Sequence, residues 1–168
     1  MSLEIVPTLP HAEGPEKSIL SSILQDPVEY LPRAVEMGIG EGSFYSPARG
    51  LLFSILAHRQ ASGQEIELVG LVQEMQARGD LEKIGGPASL QEIYTYAPTA
   101  AHFSAHAREV LDAAILRAII NFGSRIVSEA YQATDAADMV AQVELGALTI
   151  GREAEDRAGY DYRLRTAY

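Results

Sequence analysis

The sequence predicts an all-α protein, with a compact globular head of about five to six helices followed by a long antiparallel helical hairpin. Apolar residues recur with the spacing of amphipathic helices almost throughout the chain. The alternating pattern of a β-strand, with its enrichment in β-branched residues, is hard to find. Glycine and proline divide the chain into segments of helical length, and no internal repeat or low-complexity tract occurs.

The first two helices are bounded by proline and glycine. After a proline-rich stretch, residues 16–25 place their apolar side chains on one face, and the Asp26-Pro27 pair ends this helix. A short second helix is predicted over about residues 29–37. It ends at Gly38, which supplies the backbone freedom of a helix C-cap.

Three further helices complete the head. The Ser46-Pro47 pair is typical of an N-cap followed by proline at the first helical position, and the third helix is predicted to run to about residue 61. A fourth helix is predicted over residues 68–78, ended by Gly79, and a fifth follows the turn at residues 85–87 and ends at residues 97–99. Their predicted buried residues are Leu68, Leu71, Val72 and Met75, then Leu90, Ile93 and Tyr94.

The hairpin is the most informative physical feature. Residues 101–132 contain no proline and one glycine, which predicts a helix of about thirty residues. The Thr134-Asp135 pair predicts a turn and a cap, and a final helix over about residues 136–150 returns antiparallel. Apolar residues cover more than one face of the first arm, so either the hairpin lies deep in its own domain or a second chain covers the remainder. These residues are Ile115, Leu116, Ile119, Ile120, Phe122, Ile126 and Val127.

The predicted organisation has four parts. Residues 1–12 form a flexible N-terminal segment, residues 13–100 the globular head, and residues 101–151 a hairpin for dimerisation. Residues 152–168 are predicted to begin an interdomain linker, although their mixture of arginine and tyrosine is also found in single-strand binding segments.

Composition restricts the classes of function. The net charge is −10, and four arginines balance four acidic residues from Arg152 to Tyr168, so the excess of acid lies in residues 1–151. An acidic domain is not expected to hold nucleic acid strongly, because its carboxylates repel phosphates. The absence of cysteine excludes disulfides and thiolate metal sites, and no apolar run is long enough to cross a bilayer. We expect a cytoplasmic protein that does not contact membranes.

Catalytic motifs are absent from the sequence. Lys17 and Lys83, the two lysines, each follow a glutamate, so neither belongs to the Gly-Lys-Ser/Thr motif of a P-loop. No Gly-x-Ser-x-Gly elbow and no cysteine nucleophile occur. His102 and His106, with Glu109 three residues further on, have a spacing that could hold a metal. Two histidines four apart recur by chance in helices, however, and a surface or interfacial pair is the interpretation that we favour. We expect no catalytic, nucleotide-binding or metal site in this chain.

Four blocks in order resemble the N-terminal domain of DnaB-type replicative helicases, over roughly residues 10–150. The family's opening helix is similar to Pro10-His11 followed by SILSSILQDP (18–27), and its Phe-Tyr-x-Pro signature to SFYSPARGLLFSIL (43–56). The most distinctive block is GQEIELVGLVQEMQARGDLEKIGG (63–86), and APTAAHFSAHAREVLDAAILRAII (97–120) matches the segment entering the hairpin. Departures from the family pattern occur at residues 14–17, at Glu67, where aspartate is usual, and at His102, where asparagine is common.

The resemblance implies a head and a hairpin that pairs with its neighbour, building a trimer of dimers on a ring helicase. Such a collar offers docking surfaces for primase and the helicase loader and meets DNA only through the whole hexamer. ATP and magnesium would belong to a following RecA-like motor domain and not to this chain. The family's interface role carries over to Leu116, Ile119, Ile120, Ile126 and Val127 in the first arm and to Val140, Val143 and Leu148 in the second.

Three alternatives stay open at this point. The helicase-binding domain of a bacterial primase resembles this fold, although blocks 43–56 and 63–86 favour the helicase. A stand-alone helical adaptor or regulator that mimics the helicase collar would share the whole pattern. An enzyme acting on a small molecule would depend on the His102 and His106 pair alone.

Overall fold

A computed structural model describes the backbone of residues 8–166 and the side chains of residues 8–155. The all-α prediction is confirmed, because these residues form seven α-helices, two short 3₁₀ turns and no strand. None of the described helices combines the length and apolar content that crossing a membrane requires. The helices are α1 (Glu13–Gln25), α2 (Pro27–Glu36), α3 (Pro47–Ala61), α4 (Leu68–Arg78), α5 (Gly86–Tyr94), α6 (Phe103–Ala130) and α7 (Ala136–Thr166). The 3₁₀ turns are Glu41–Ser43, before α3, and Glu82–Ile84, before α5.

Capping side chains and a glycine in the left-handed conformation end or begin several helices where the sequence predicted it. The Ser46 hydroxyl accepts the backbone N–H of Arg49 at 3.4 Å, with Pro47 at the first position of α3. Gly79 has a φ of +72° and ends α4 in the left-handed conformation that favours glycine. Asp135 caps α7 by accepting the N–H of Ala137 at 2.8 Å. These local signals gave α3 and α4 their predicted boundaries.

The first two helices begin earlier than predicted. α1 starts at Glu13 and includes Pro15, because proline is tolerated in a first turn whose N–H groups have no partner within the helix. α2 starts at Pro27, and the Asp26 carboxylate accepts the N–H of Glu29 at 3.1 Å. One aspartate therefore ends α1 and caps α2.

The prediction that the last helix ends near residue 150 is wrong, since α7 continues to Thr166. Gly151 costs a helix only about 1 kcal/mol relative to alanine, and no proline follows it. Alanine, arginine and glutamate, which are common after it, are good helix formers. The interpretation of residues 152–168 as a linker stays a prediction, although most of this segment is helical.

The core of the head is built around α1, which packs against α2, α3, α5 and α6. Ile19, Leu20 and Ile23 of α1 are fully buried, as are Leu31 of α2 and Leu52 of α3. From the predicted apolar stripes, Leu71, Met75, Leu90 and Ile93 are buried, while Leu68, Val72 and Tyr94 pack against the core from its edge.

The head does not end at residue 100, as predicted, but continues along the first half of α6. Phe103, Ala107 and Val110 are buried against the core, and the Phe103 ring lies 4.9 Å from that of Tyr30. Arg117 is the last buried residue of α6. The sequence could not show this boundary, because a continuous helix carries no break where its surroundings change.

The N-terminal segment is anchored where it is described. Residues 8–12 have no regular secondary structure, yet the Pro10 carbonyl accepts a hydrogen bond from Arg117 at 2.9 Å and the His11 ring stacks on Tyr45. Residues 10 and 11 therefore contact α6 and Tyr45, and the flexibility predicted for residues 1–12 stays a prediction. Residues 1–7 lie outside the described residues.

Candidate self-association surface

Beyond Arg117, α6 leaves the head and pairs with α7 to form what we call the distal hairpin, residues 118–155. No residue in this range is buried. The head packs several helices around each apolar face, whereas each arm of the distal hairpin has the other arm as its main neighbour. A two-helix arrangement covers one side of each helix and leaves the rest to solvent or to a partner.

Three apolar side chains of α6, and the tyrosine that follows its last residue, form an exposed strip. Leu116, Ile120, Val127 and Tyr131 are spaced by four, seven and four residues, which places them along one line of a helix. Leu116 is 50% exposed and Val127 is 58% exposed. Ile119 lies beside this strip and is 48% exposed.

The second arm carries a comparable set of exposed apolar side chains. Val140 is 58% exposed, Val143 38% and Leu148 59%. Together with Leu116, Ile119, Ile120 and Val127 they form what we call the uncovered hairpin surface. Each residue of this surface was predicted from the sequence as part of an interface, and the structure leaves all of them accessible to a partner.

Three predicted residues have other environments. Ile115 and Ile126 are half-buried. Phe122, counted with the surplus apolar residues, turns toward α7, where a Cβ added to Gly146 would overlap its ring. The Arg125 guanidinium lies over the Phe122 ring, 5.5 Å from its centre. Phe122 therefore joins the two arms.

The two arms do not close completely. An open cleft of about 500 Å³ lies between them near the head. It is lined by Ala118, Asn121, Phe122, Arg125, Gln142, Leu145, Gly146, Thr149 and Ile150. The mixture of apolar and polar side chains gives no constellation of catalytic groups, and the cleft lies next to the uncovered hairpin surface.

Sequence reasoning missed two exposed apolar residues of the hairpin. Tyr131 is 88% exposed at the end of α6, and Leu145 is 67% exposed on α7. Helical spacing gives the signal that could have found them, because Tyr131 is four residues after Val127 and Leu145 three before Leu148.

An ion-pair network with shifted pKa values lies in the head. Lys17 of α1 lies between Glu92, at 2.9 Å, and Glu13, at 3.2 Å. Hydrogen bonds to Glu92 and then Glu13 raise the pKa of Lys17, and the bond from Lys17 lowers the pKa of Glu13. The ion pair between Lys17 and Glu92 joins α1 to α5. The pair between Lys17 and Glu13 lies within α1.

The histidine pair does not extend into a metal site. The rings of His102 and His106 are 6.1 Å apart between centroids and tilted by 55°. Among the described residues, no group of three or more histidine or acidic side chains could hold a metal ion. Glu109 therefore does not complete the candidate triad.

Comparison with known proteins places the chain in a family. The family described as "DnaB-like helicase N terminal domain" matches residues 8–112, more than half of the chain. The chain belongs to this family. The match covers most of the head, including α6 as far as residue 112.

Related proteins agree with this assignment. The chain is 30% identical to the replicative DNA helicase DnaB of Geobacillus stearothermophilus over 131 residues, which are 78% of this chain and 28% of that protein. It is also 30% identical to the DnaB of Mycobacterium leprae (strain TN) over 121 residues, 72% of this chain and 20% of the relative. The chain therefore spans less than a third of the length of these relatives. The helicase family is supported over the primase domain considered above.

Solved structures show the same fold. The N-terminal domain of DnaB helicase from Mycobacterium tuberculosis aligns with a TM-score of 0.74 and 26% identity, covering 86% of this chain and 99% of that one. A structure described as that of a DnaB-like replicative helicase and its interactions with primase aligns with a TM-score of 0.67. The second match has 17% identity and covers 86% of this chain and 35% of that one, so it supports the fold alone.

Proposed function

We propose that this chain is the assembly and partner-docking domain of a replicative DNA helicase. In the whole protein, a following RecA-like motor domain would bind ATP and magnesium, hydrolyse ATP and move along DNA. This domain would contribute no catalytic residue and would meet DNA only through the assembled ring. Membership of the helicase family and the relatives that are DnaB helicases support the proposal.

The uncovered hairpin surface is the observation on which the proposed assembly role depends. The head buries a core of apolar side chains and leaves a few scattered ones exposed, such as Val28 and Val69. On the hairpin, by contrast, Leu116 is 50% exposed and Leu148 is 59% exposed, and both belong to a continuous apolar surface. Burying apolar surface stabilises an association by roughly 25 cal/mol per Å² before the costs of association are subtracted. We propose that the hairpin of a second copy covers this surface, and that three such dimers form a hexameric collar.

Mass measurement in solution tests the self-association. We expect light scattering after size exclusion to give at least twice the 18.2 kDa of one chain at high concentration. Ile119→Asp places a charge in the uncovered hairpin surface and should yield a monomer with unchanged helix content, because burying an unpaired carboxylate is costly. Val69→Asp, on the head at a side chain that is 60% exposed, is the matched control and should leave the mass unchanged. A strict monomer at high concentration of the unsubstituted chain would contradict the proposal.

Docking of primase and of the helicase loader is the second part of the proposed function. A solved protein of the same fold is described together with its interactions with primase, and we propose the same class of partner for this chain. The test is co-purification of this domain with the primase or the loader of the same genome. If the monomeric Ile119→Asp variant still binds, docking needs one copy of the chain; if it no longer binds, docking needs two copies. Absence of binding to both proteins by the assembled domain would remove docking from the proposal.

The motor domain can be tested without purifying protein. Reading the gene beyond the codon for Tyr168 should reveal a Gly-Lys-Ser/Thr motif within about a hundred codons, followed by the rest of a nucleotide-binding domain. A stop codon there would instead make the chain a stand-alone adaptor of the same fold.

A further inference from the structure

Arg117 occupies the point at which α6 leaves the head. Arg117 is only 8% exposed, although its side chain is charged and the half of α6 that follows it is exposed to solvent. A buried guanidinium requires hydrogen-bond partners in defined positions, because desolvating it without them is costly. The hydrogen-bond partners of Arg117 therefore show which segments of the chain this residue connects.

The guanidinium of Arg117 connects three separate segments. Its Nη1 donates to the carbonyl of Pro10 at 2.9 Å, and its Nη2 donates to the carbonyl of Ser43 at 2.7 Å. It also lies 5.8 Å from the centre of the Tyr45 ring. The N-terminal segment, the Glu41–Ser43 turn and the base of the hairpin thus meet at one side chain.

Tyr45 links this contact to the core of the head. Its backbone N–H donates to the Glu16 carboxylate at 2.7 Å, and Glu16 is fully buried in α1. On the ring of Tyr45, the His11 imidazole stacks with 5.0 Å between centroids and an angle of 28° between the planes. The N-terminal segment is therefore held at Pro10 by Arg117 and at His11 by Tyr45.

We propose that Arg117 is a positioning residue that couples residues 8–12 to the direction of the hairpin. While Arg117 binds the carbonyls of Pro10 and Ser43, the last turn of α6 within the head is fixed. If residues 8–12 leave the head, Arg117 loses its hydrogen bond to the Pro10 carbonyl, and Tyr45 loses the His11 ring that stacks on it. The distal hairpin, whose arms have mainly each other as neighbours, then changes its angle to the head.

The coupling follows from where the packing on α6 stops. Ala113 is the last buried residue of α6 before Arg117, and no residue after Arg117 is buried up to residue 155. Arg117 therefore supplies the outermost attachment of a helix that extends 13 residues further, to Ala130. A small tilt at this base produces a large displacement at the tip, because the helix rises 1.5 Å per residue.

Distance measurements between pairs of spin labels test this inference. The chain has no cysteine, so introduced cysteines are labelled uniquely. The pair Thr8→Cys and Gln91→Cys reports on the N-terminal segment, and the pair Gln76→Cys and Ser128→Cys reports on the hairpin. All four positions are exposed. Mixing labelled chains with an excess of unlabelled chains isolates distances within one molecule, so the measurement does not depend on the proposed self-association.

Arg117→Met removes the hydrogen bonds while keeping a long apolar side chain. We expect the single narrow distance peak of both pairs to be lost in this variant and partly retained in Arg117→Lys, whose ammonium keeps the charge without the planar fork of the guanidinium. Arg125→Met is the matched control on the same helix. It removes the contact with Phe122 and the 3.6 Å ion pair with Glu129, and it should leave the peak of the Thr8 and Gln91 pair narrow.

Two results would overturn the inference. One is a peak for the hairpin pair that stays as narrow in Arg117→Met as in the unsubstituted chain. The other is broadening of the hairpin pair alone, with residues 8–12 still in place, because the two movements would then be independent. Circular dichroism establishes that each variant is folded. If Arg117→Met does not fold, the same two outcomes are read from Arg117→Lys.

Discussion

The head and the distal hairpin are both built from amphipathic helices, but their apolar side chains have different environments. In the head, Leu20, Leu31 and Leu52 are completely buried. In the hairpin, Leu116, Leu145 and Leu148 are between 50% and 67% exposed. The leucines of the head are part of a closed hydrophobic core, whereas those of the hairpin are accessible to a partner.

The number of helices around each element explains the difference. α1 is covered by four other helices, while the distal part of α6 is covered by α7. Amphipathic periodicity records that a helix has an apolar side, but the stability gained depends on what covers that side. The comparison predicts that substitutions in the head change folding and that those on the hairpin surface change assembly.

The largest effect is expected from truncating a core leucine. Leu52→Ala should lower the free energy of unfolding by about 3–5 kcal/mol, because it removes buried methyl groups and leaves a cavity. Leu116→Ala, on the hairpin, should change it by less than about 1 kcal/mol in dilute solution. Urea unfolding followed by circular dichroism measures both. Equal losses would show that the hairpin leucines are as well covered as the core.

The buried carboxylate of Glu16 is expected to have the next largest effect. It accepts from Arg49 Nε at 2.6 Å and from the Tyr45 N–H at 2.7 Å. Glu16→Gln should destabilise the head by about 2–3 kcal/mol, because it leaves the half-buried Arg49 guanidinium with only the exposed Glu13 carboxylate, at 3.9 Å, as an ionic partner. Glu36→Gln replaces an exposed carboxylate of α2 and is the control. A loss no greater than that of the control would show that the buried pair contributes no net stability.

Two glycines of the hairpin provide a matched pair. A Cβ at Gly146 would overlap the Phe122 ring, so Gly146→Ala should separate the arms and destabilise the hairpin by about 1–3 kcal/mol. A Cβ at Gly123 meets no atom within 4 Å, so Gly123→Ala should stabilise α6 by about 0.5–1 kcal/mol in dilute solution. Amide hydrogen exchange over residues 118–150 should therefore accelerate in the first variant and slow in the second. Changes of the same sign would contradict the assigned packing of the arms.

The smallest effect is expected at the turn after α4 and depends on pH. The Lys83 ammonium bonds Asp80 at 2.8 Å and, with a smaller contribution from Arg78, holds the pKa of Asp80 below its ordinary value of 3.8. Because the folded pKa is lowered, the stabilisation is present above pH 3.8 and is lost as the pH falls through the lowered pKa. Asp80→Asn should therefore lower the urea midpoint at pH 7 but not at a pH of about 2. A difference that is the same at both pH values would assign the effect to packing.

Local signals made much of the fold predictable. Ser46-Pro47 and Gly79 act through their own backbone and nearest neighbours, so the start of α3 and the end of α4 could be predicted from a few letters. The end of α7 could not, because Gly151 weakens a helix without ending it. The residues of the uncovered hairpin surface on α6 were predictable as apolar residues in excess of one helix face, whereas those on α7 were predicted from the family resemblance. Their use as an interface remains a prediction.

The sequence by itself determined an acidic all-α chain without a P-loop, with its helices in order and an apolar surplus on the hairpin. These properties depend on composition and on contacts between residues a few positions apart. The tertiary structure decided that the head extends to Arg117, that Phe122 joins the arms at Gly146, and that Pro10 and Ser43 meet at one guanidinium. Such contacts join residues far apart in the chain, and their geometry exists only once the helices have packed.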